Sequence, residues 1–114
     1  MKSKPFVARE RADADVEAAI DYCLGEDAVQ AAMGFIDSLE RAYAQIGSCP
    51  AIGSGRYAHE LNLPGLRFWK LTPYPYLIFY VEREDSIDIW RVLHGQRDIP
   101  AWLGTDFGTD GISL

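Results

Sequence analysis

The chain has two cysteines, two histidines and no apolar run near the ~18 residues that a membrane span requires. Cys23 and Cys49 cannot build the disulfide framework of a small secreted domain, and with His59 and His94 they show no zinc-ligand spacing. The first ten residues carry Lys2 and Lys4 but lack the apolar stretch of a signal peptide. Internal repeats and low-complexity tracts are missing too. These absences predict a reduced, cytoplasmic setting, no membrane association, no metal and no cofactor. Cys23 falls on the apolar face of a predicted helix and is expected as a small buried hydrophobe.

Positive charge is also in short supply. Residues 1–50 hold nine acids against five bases, residues 51–97 hold six bases against five acids, and the tail from Asp98 adds three acids and no base, for a net charge of −6. Affinity for nucleic acid rests on phosphate contacts and normally comes with a basic domain. The acidic balance therefore argues against direct, sequence-specific nucleic-acid binding. What is present is ordinary for a globular protein: 48% apolar and 25% charged residues, in a chain of 114 residues that suits a single core. One domain is expected, with a core over about residues 3–100 and a tail over 101–114.

Hydropathy patterning predicts an α+β fold. Residues 3–9 are short and β-compatible, with Pro5 at a position an edge strand tolerates. Val16, Ala19, Ile20, Cys23 and Leu24 then recur at helical spacing, with Asp13 as a candidate N-cap and Gly25 as a stop. Ala28, Ala32, Phe35, Leu39, Ala42 and Ile46 form a second apolar stripe, reinforced by Ala31, Ile36 and Tyr43, and ended by Gly47 to Pro50. So short a connection makes the two helices an antiparallel hairpin. Extended runs come next at 56–61, 66–72, 76–82 and 86–93, joined by connections too short for parallel crossovers. The expected architecture is an N-terminal strand and an antiparallel two-helix hairpin packed on an antiparallel β-sheet.

Chemistry concentrates where the last strand stops. His94, Arg97 and Asp98 lie just beyond the apolar run Ile87, Ile89, Trp90, Val92, Leu93. His94 has the side chain of a neutral-pH general base, Arg97 could stabilise a developing phosphorane, and Arg67 and Lys70 could hold phosphates, which together would make a ribonuclease. The other reading gives His94 a backbone bond in a tight turn and pairs Arg97 with Asp98 or makes the two of them a cap. His59 and Glu60 are expected on opposite faces of a strand at a solvated edge, and Asp21, Glu26, Asp27, Asp37 and Glu40 on solvated helix faces. Aromatic and apolar residues occupy both faces of the runs 66–72 and 76–82. Either a partner chain covers the second face, or the tail does with Trp102, Leu103 and Phe107.

The order of motifs resembles the ParE branch of the RelE/ParE toxin family, the toxin halves of bacterial toxin–antitoxin pairs. D-V-E-A-A-I-D-Y-C at 15–23 and A-M-G-F-I-D-S-L-E at 32–40 are followed by C-P-A-I-G-S-G-R at 49–56 and L-P-G-L-R-F-W at 63–69. Y-P-Y-L-I-F-Y-V at 74–81 and R-V-L-H-G-Q-R-D at 91–98 complete the set, so the resemblance covers about residues 5–100. It implies a helical hairpin on an antiparallel sheet. ParE-like members poison DNA gyrase without a catalytic set of their own and are neutralised by a ParD-like antitoxin that lays an amphipathic helix, and an added strand or extended segment, on the toxin. RelE-like members instead cut messenger RNA on the ribosome, the setting in which Arg67, Lys70, His94 and Arg97 would be catalytic. The tail G-T-D-F-G-T-D-G-I-S-L offers no Lys, Arg, His or Tyr to such a nuclease and extends past the usual family end, a departure that leaves a non-toxic family member that only binds its antitoxin as the third alternative. By this resemblance Trp69, Tyr74, Tyr76, Trp90 and Arg97 are the candidates for partner contacts.

Overall fold

A computed structural model describes residues 4–25, 29–60, 62–72 and 74–95. Strand β1 (Phe6–Ala8) leads into α1 (Glu10–Gly25) and α2 (Val29–Ser48). A 3-10 turn (Pro50–Ile52) and a short helix α3 (Arg56–Glu60) precede β2 (Leu66–Lys70), β3 (Tyr76–Glu82) and β4 (Ile87–His94). The fold is α+β, with a sheet of order β1-β4-β3-β2. Strands β2, β3 and β4 form the expected antiparallel meander, while β1 joins at the edge and runs parallel to β4, pairing Phe6 with Ile87 and Ala8 with Ile89. The sheet is therefore mixed at that one pair.

Two boundaries differ from the sequence reading. Helix α1 begins at Glu10, three residues ahead of the Asp13 cap. The Arg9 N–H still bonds Ile89 in the sheet while the Arg9 carbonyl already accepts Asp13 N–H at 3.0 Å, so strand passes directly into helix. Glu10 and Asp13 then sit in the first turn, where the helix dipole favours acids. The run at 56–61 is not a strand. Ser54 Oγ accepts the Arg56 N–H at 3.2 Å and the Gly55 carbonyl accepts Ala58 N–H at 3.0 Å, which starts a helix instead. Asn62 at φ 54 ends it in the left-handed conformation that Asn tolerates. His59 consequently lies in the last turn of a helix and is exposed, and the strand argument separating it from Glu60 does not apply.

The core has two parts, one on each face of the sheet. Ile78, Tyr80, Ile87, Ile89 and Val92 meet Ala12, Ala19, Phe35, Leu39, Ala42, Tyr43 and Ile46 of the hairpin. The α2 stripe thus packs as its spacing predicts, although Ile36 is exposed. On the opposite face Leu66, Phe79, Val81, Trp90 and Leu93 are buried with Tyr57 and Ala58 of α3 and Leu63 against them. Ladder register explains how β4 serves both faces: Phe79 pairs with Arg91 and Tyr80 with Ile89, leaving Trp90 as the extra residue of a β-bulge. Gly34 belongs to a close approach, for a Cβ there would run into the Tyr74 hydroxyl. Its neighbour is the β2–β3 turn.

Candidate partner-binding surface

Three of the four residues of the ribonuclease reading, Arg67, Lys70 and His94, lie within the described residues. Arg67 and Lys70 lie in one strand three residues apart, so they project to opposite faces. The Arg67 guanidinium is occupied: Nη1 donates to the carbonyls of Gly53 at 2.7 Å and Ala51 at 3.4 Å. It ties the 50–54 loop to β2. His94 ends β4 and meets the Tyr76 ring edge-on, centroids 5.3 Å apart. Arg97, with Asp98 and the apolar tail residues Trp102, Leu103 and Phe107, lies outside the described residues, as do Glu26 and Asp27 and the Cys23 side chain. Cys49 is an exposed free thiol.

The aromatic candidates split by environment. Trp90 is 9% exposed, packed in the second core part, with the Arg9 guanidinium 4.6 Å above its ring. Trp69, Tyr74 and Tyr76 are half-buried against the main core. Tyr74 and Tyr76 each meet Phe35 edge-on, and the Tyr74 hydroxyl donates to the Ala31 carbonyl at 3.1 Å. Trp69 keeps its exposed side toward an open groove of about 490 Å³ between α2 and the edge strand β2. Residues of α2 from Ser38 to Gln45, Arg41 among them, form the helical wall; Trp69, Lys70, Leu71 and Thr72 form the other.

Three polar centres shape the rest of the surface. Asp15 of α1 accepts Arg91 Nε at 2.7 Å, Arg91 Nη2 at 2.8 Å and the Val92 N–H at 3.0 Å. Its carboxylate thereby stands beside β4 where β1 has ended. Asp88 accepts Arg9 and Arg83, each with an Nη2 contact of 3.0 Å. Burial pushes the Asp88 carboxyl up, and the Arg9 and Arg83 guanidiniums outweigh that and hold it below its ordinary 3.8. Tyr80 Oη donates to the Pro50 carbonyl at 2.6 Å and accepts the Gly53 N–H at 2.9 Å, and its burial raises the phenol's pKa despite that bond. Tyr43 is raised as well, by burial first and then by Asp13 and Asp15.

Among the described residues no three His, Cys, Asp or Glu side chains gather as a metal site, and no helix is long and apolar enough to cross a membrane. The family model for the ParE toxin of the type II toxin–antitoxin system parDE matches residues 7–99. The chain belongs to the ParE toxin family. Among solved structures, a chain from the chromosomal ParDE toxin–antitoxin system of P. aeruginosa superposes with a TM-score of 0.66 at 18% identity, covering 81% of this chain and 96% of that one. At that identity the likeness establishes the ParE fold and nothing finer. No curated protein matches the sequence.

Several features of this ParE chain escaped the sequence reading. Asp15 and Arg91 were each one letter in a motif; only their pairing across 76 residues shows their importance. Tyr80 read as one more apolar residue of a central strand. The exposed apolar residues Tyr22, Leu24, Val29, Met33 and Ile36 gather around the free end of the hairpin. Their signal was available, since Val29, Met33 and Ile36 recur at steps of four and three beside the core stripe.

Proposed function

We propose that this chain inhibits DNA gyrase in the cytoplasm as the toxin of a parDE pair, by binding and without a catalytic residue or cofactor of its own, and that a ParD-like antitoxin neutralises it. The observation that carries the reading is the match to the ParE family model over residues 7–99, since gyrase poisoning and ParD neutralisation are what that branch implies. The placement of Arg67 supports it against the ribonuclease. Arg67 Nη1 is held by two loop carbonyls and Lys70 of the same strand faces the other way, so these two cations do not close together on one phosphate.

The test is plasmid supercoiling by purified gyrase with increasing amounts of the antitoxin-free chain, scoring linear cleaved DNA. Inhibition with accumulated cleavage complexes is expected, and His94→Ala should keep it. Messenger RNA cut in a ribosome-dependent manner, with supercoiling untouched and activity lost about 100-fold or more in His94→Ala, would replace the gyrase reading with the nuclease.

A further inference from the structure

We infer that the free end of the helical hairpin, built from Tyr22 and Leu24 of α1 and Val29, Met33 and Ile36 of α2, is the surface by which the chain grips gyrase, seated on an apolar protein patch rimmed by Lys and Arg. The inference rests on the reading above for the identity of the target and assigns the part of the toxin that meets it.

Exposure supplies the first argument. Of the eight large apolar side chains exposed among the described residues, five stand at this end, each 40–66% exposed. The other three are scattered, Phe6 and Val7 on β1 and Ile52 in the 3-10 turn. Five such side chains make a patch of a few hundred Å², the size that marks an interaction site.

Helical spacing shows why this patch is not core. Ala32 and Phe35 take the side of α2 that meets the sheet. Met33 and Ile36 follow them by one residue, a rotation of about 100°, and Val29 joins their stripe by steps of four and three. The last turn of α1 supplies Tyr22 and Leu24, both exposed, in place of the bases that often end a helix. The sequence thus spends apolar residues where neither the core nor the helix terminus calls for them.

Charge supplies the third argument and selects the partner. Helix α1 holds five acids and Arg11, and α2 holds two acids and Arg41. Arg11 lies in the first turn of α1, at the opposite end of that helix, and Arg41 pairs with Asp37 at 2.9 Å. Asp15 is taken by Arg91. The exposed acids Glu17, Asp21 and Glu40 flank the patch, Glu40 continuing the Val29 stripe by a further step of four. Apolar burial draws this end onto protein, and the acids favour a surface edged with bases. An enzyme that cuts and passes duplex DNA carries such a surface, because Lys and Arg hold the phosphates. A toxin that traps cleaved DNA binds while the DNA is still in place, which puts it on the margin of the DNA path. There the acids are attracted to the enzyme and repelled by the phosphates. Two copies of the chain meeting end to end would instead set the same acids against one another.

The test titrates the full, antitoxin-free chain and its variants into purified gyrase, scoring supercoiling, cleaved DNA and direct binding by surface plasmon resonance. Met33→Gln combined with Ile36→Gln suits a helix and should raise the half-inhibiting concentration about tenfold or more. Asp21→Lys combined with Glu40→Lys should raise it about threefold and flatten its salt dependence. Ile52→Gln, an exposed apolar residue away from the patch, should match the parent. Folded variants that all inhibit as the parent does overturn the site and leave the gyrase reading standing. A parent chain without effect on gyrase removes that reading and the site's occupant together. A charge pair that inhibits better than the parent, or keeps its salt dependence, overturns the basic partner. Co-purification with a ParD-like antitoxin and sedimentation of the free chain test the other occupants. Loss of the antitoxin complex, or of a dimer, with gyrase inhibition kept overturns the inference. If the Met33→Gln, Ile36→Gln chain loses its circular dichroism signal, Tyr22→Gln carries the apolar test.

Discussion

Along β4 the outward main-chain groups are taken first by β1 and then, where β1 stops, by the Asp15 carboxylate; along β2 they are taken by Ser54 and then by nothing among the described residues. Both edges begin with a backbone partner and differ in the group that comes next. On the β4 side a buried ion pair, with Arg91 6% exposed, continues the seal, and the Asp88 cluster and the Lys4 bond to Glu82 extend it outward. On the β2 side the loop is fastened from behind by Tyr80 and Arg67, and the strand beyond it stays open. A sheet edge can thus be closed by a side chain acting as a surrogate strand, and the edge that lacks one keeps main-chain groups open among the described residues.

The largest way to break this contrast is Asp15→Ala. It takes the Asp15 carboxylate from the buried Arg91 and bares the Val92 N–H, so urea unfolding should show a loss of roughly 3 kcal/mol. A shift under about 1 kcal/mol would mean that the carboxylate is not what closes β4. Tyr80→Phe addresses the other edge. It leaves the Gly53 N–H and the Pro50 carbonyl without the hydroxyl and should cost about 1–2 kcal/mol, with faster amide exchange concentrated at Gly53 and Ser54. Exchange that rises evenly across the sheet would remove the idea of a local fastening.

Acid sharpens the comparison on the β4 side. Asp88 titrates below 3.8 in the fold, so its contribution to stability is complete above 3.8 and is lost as pH falls through the lowered value. Stability measured from pH 6 down to pH 2 should therefore fall less steeply in Asp88→Asn than in the parent. Parallel curves would sink this assignment. The smallest effect is expected near the end of β2. Gly34→Ala gains helix propensity and collides with the Tyr74 hydroxyl, so alone it should shift stability by about 0.5 kcal/mol at most, and in a Tyr74→Phe background it should stabilise by up to about 1 kcal/mol. Identical effects in the two backgrounds would show that the hydroxyl is not the obstacle.

How much could be read ahead of the structure depends on the range of the forces involved. The α2 stripe of Ala32, Phe35, Leu39, Ala42 and Ile46 and the meander of β2 to β4 depend on local periodicity and short connections, and both were legible. Helix α3 was not, because Y-A-H-E-L suits a strand as well as a helix and the decision rests on Ser54, Gly55 and Asn62 around it. Arg67 was misjudged for a related reason. Alternation says which face a strand residue takes but not which carbonyls a loop brings to it. Asp15 and the open edge at Lys70 emerge only once strand order and register are known.

The pairing of β1 with β4 also sets a clock. Phe6 finds its ladder partner in Ile87, almost at the far end of the described chain, and ribosomes add about 5–20 residues per second. Strand β1 therefore leaves the ribosome roughly 4–16 s before the strand that will hold it. During that interval α1 and α2 are made but have no sheet to cover, Asp15 has no Arg91, and neither edge exists. The β1 pairing and the Asp15–Arg91 ion pair therefore complete together, when β4 arrives.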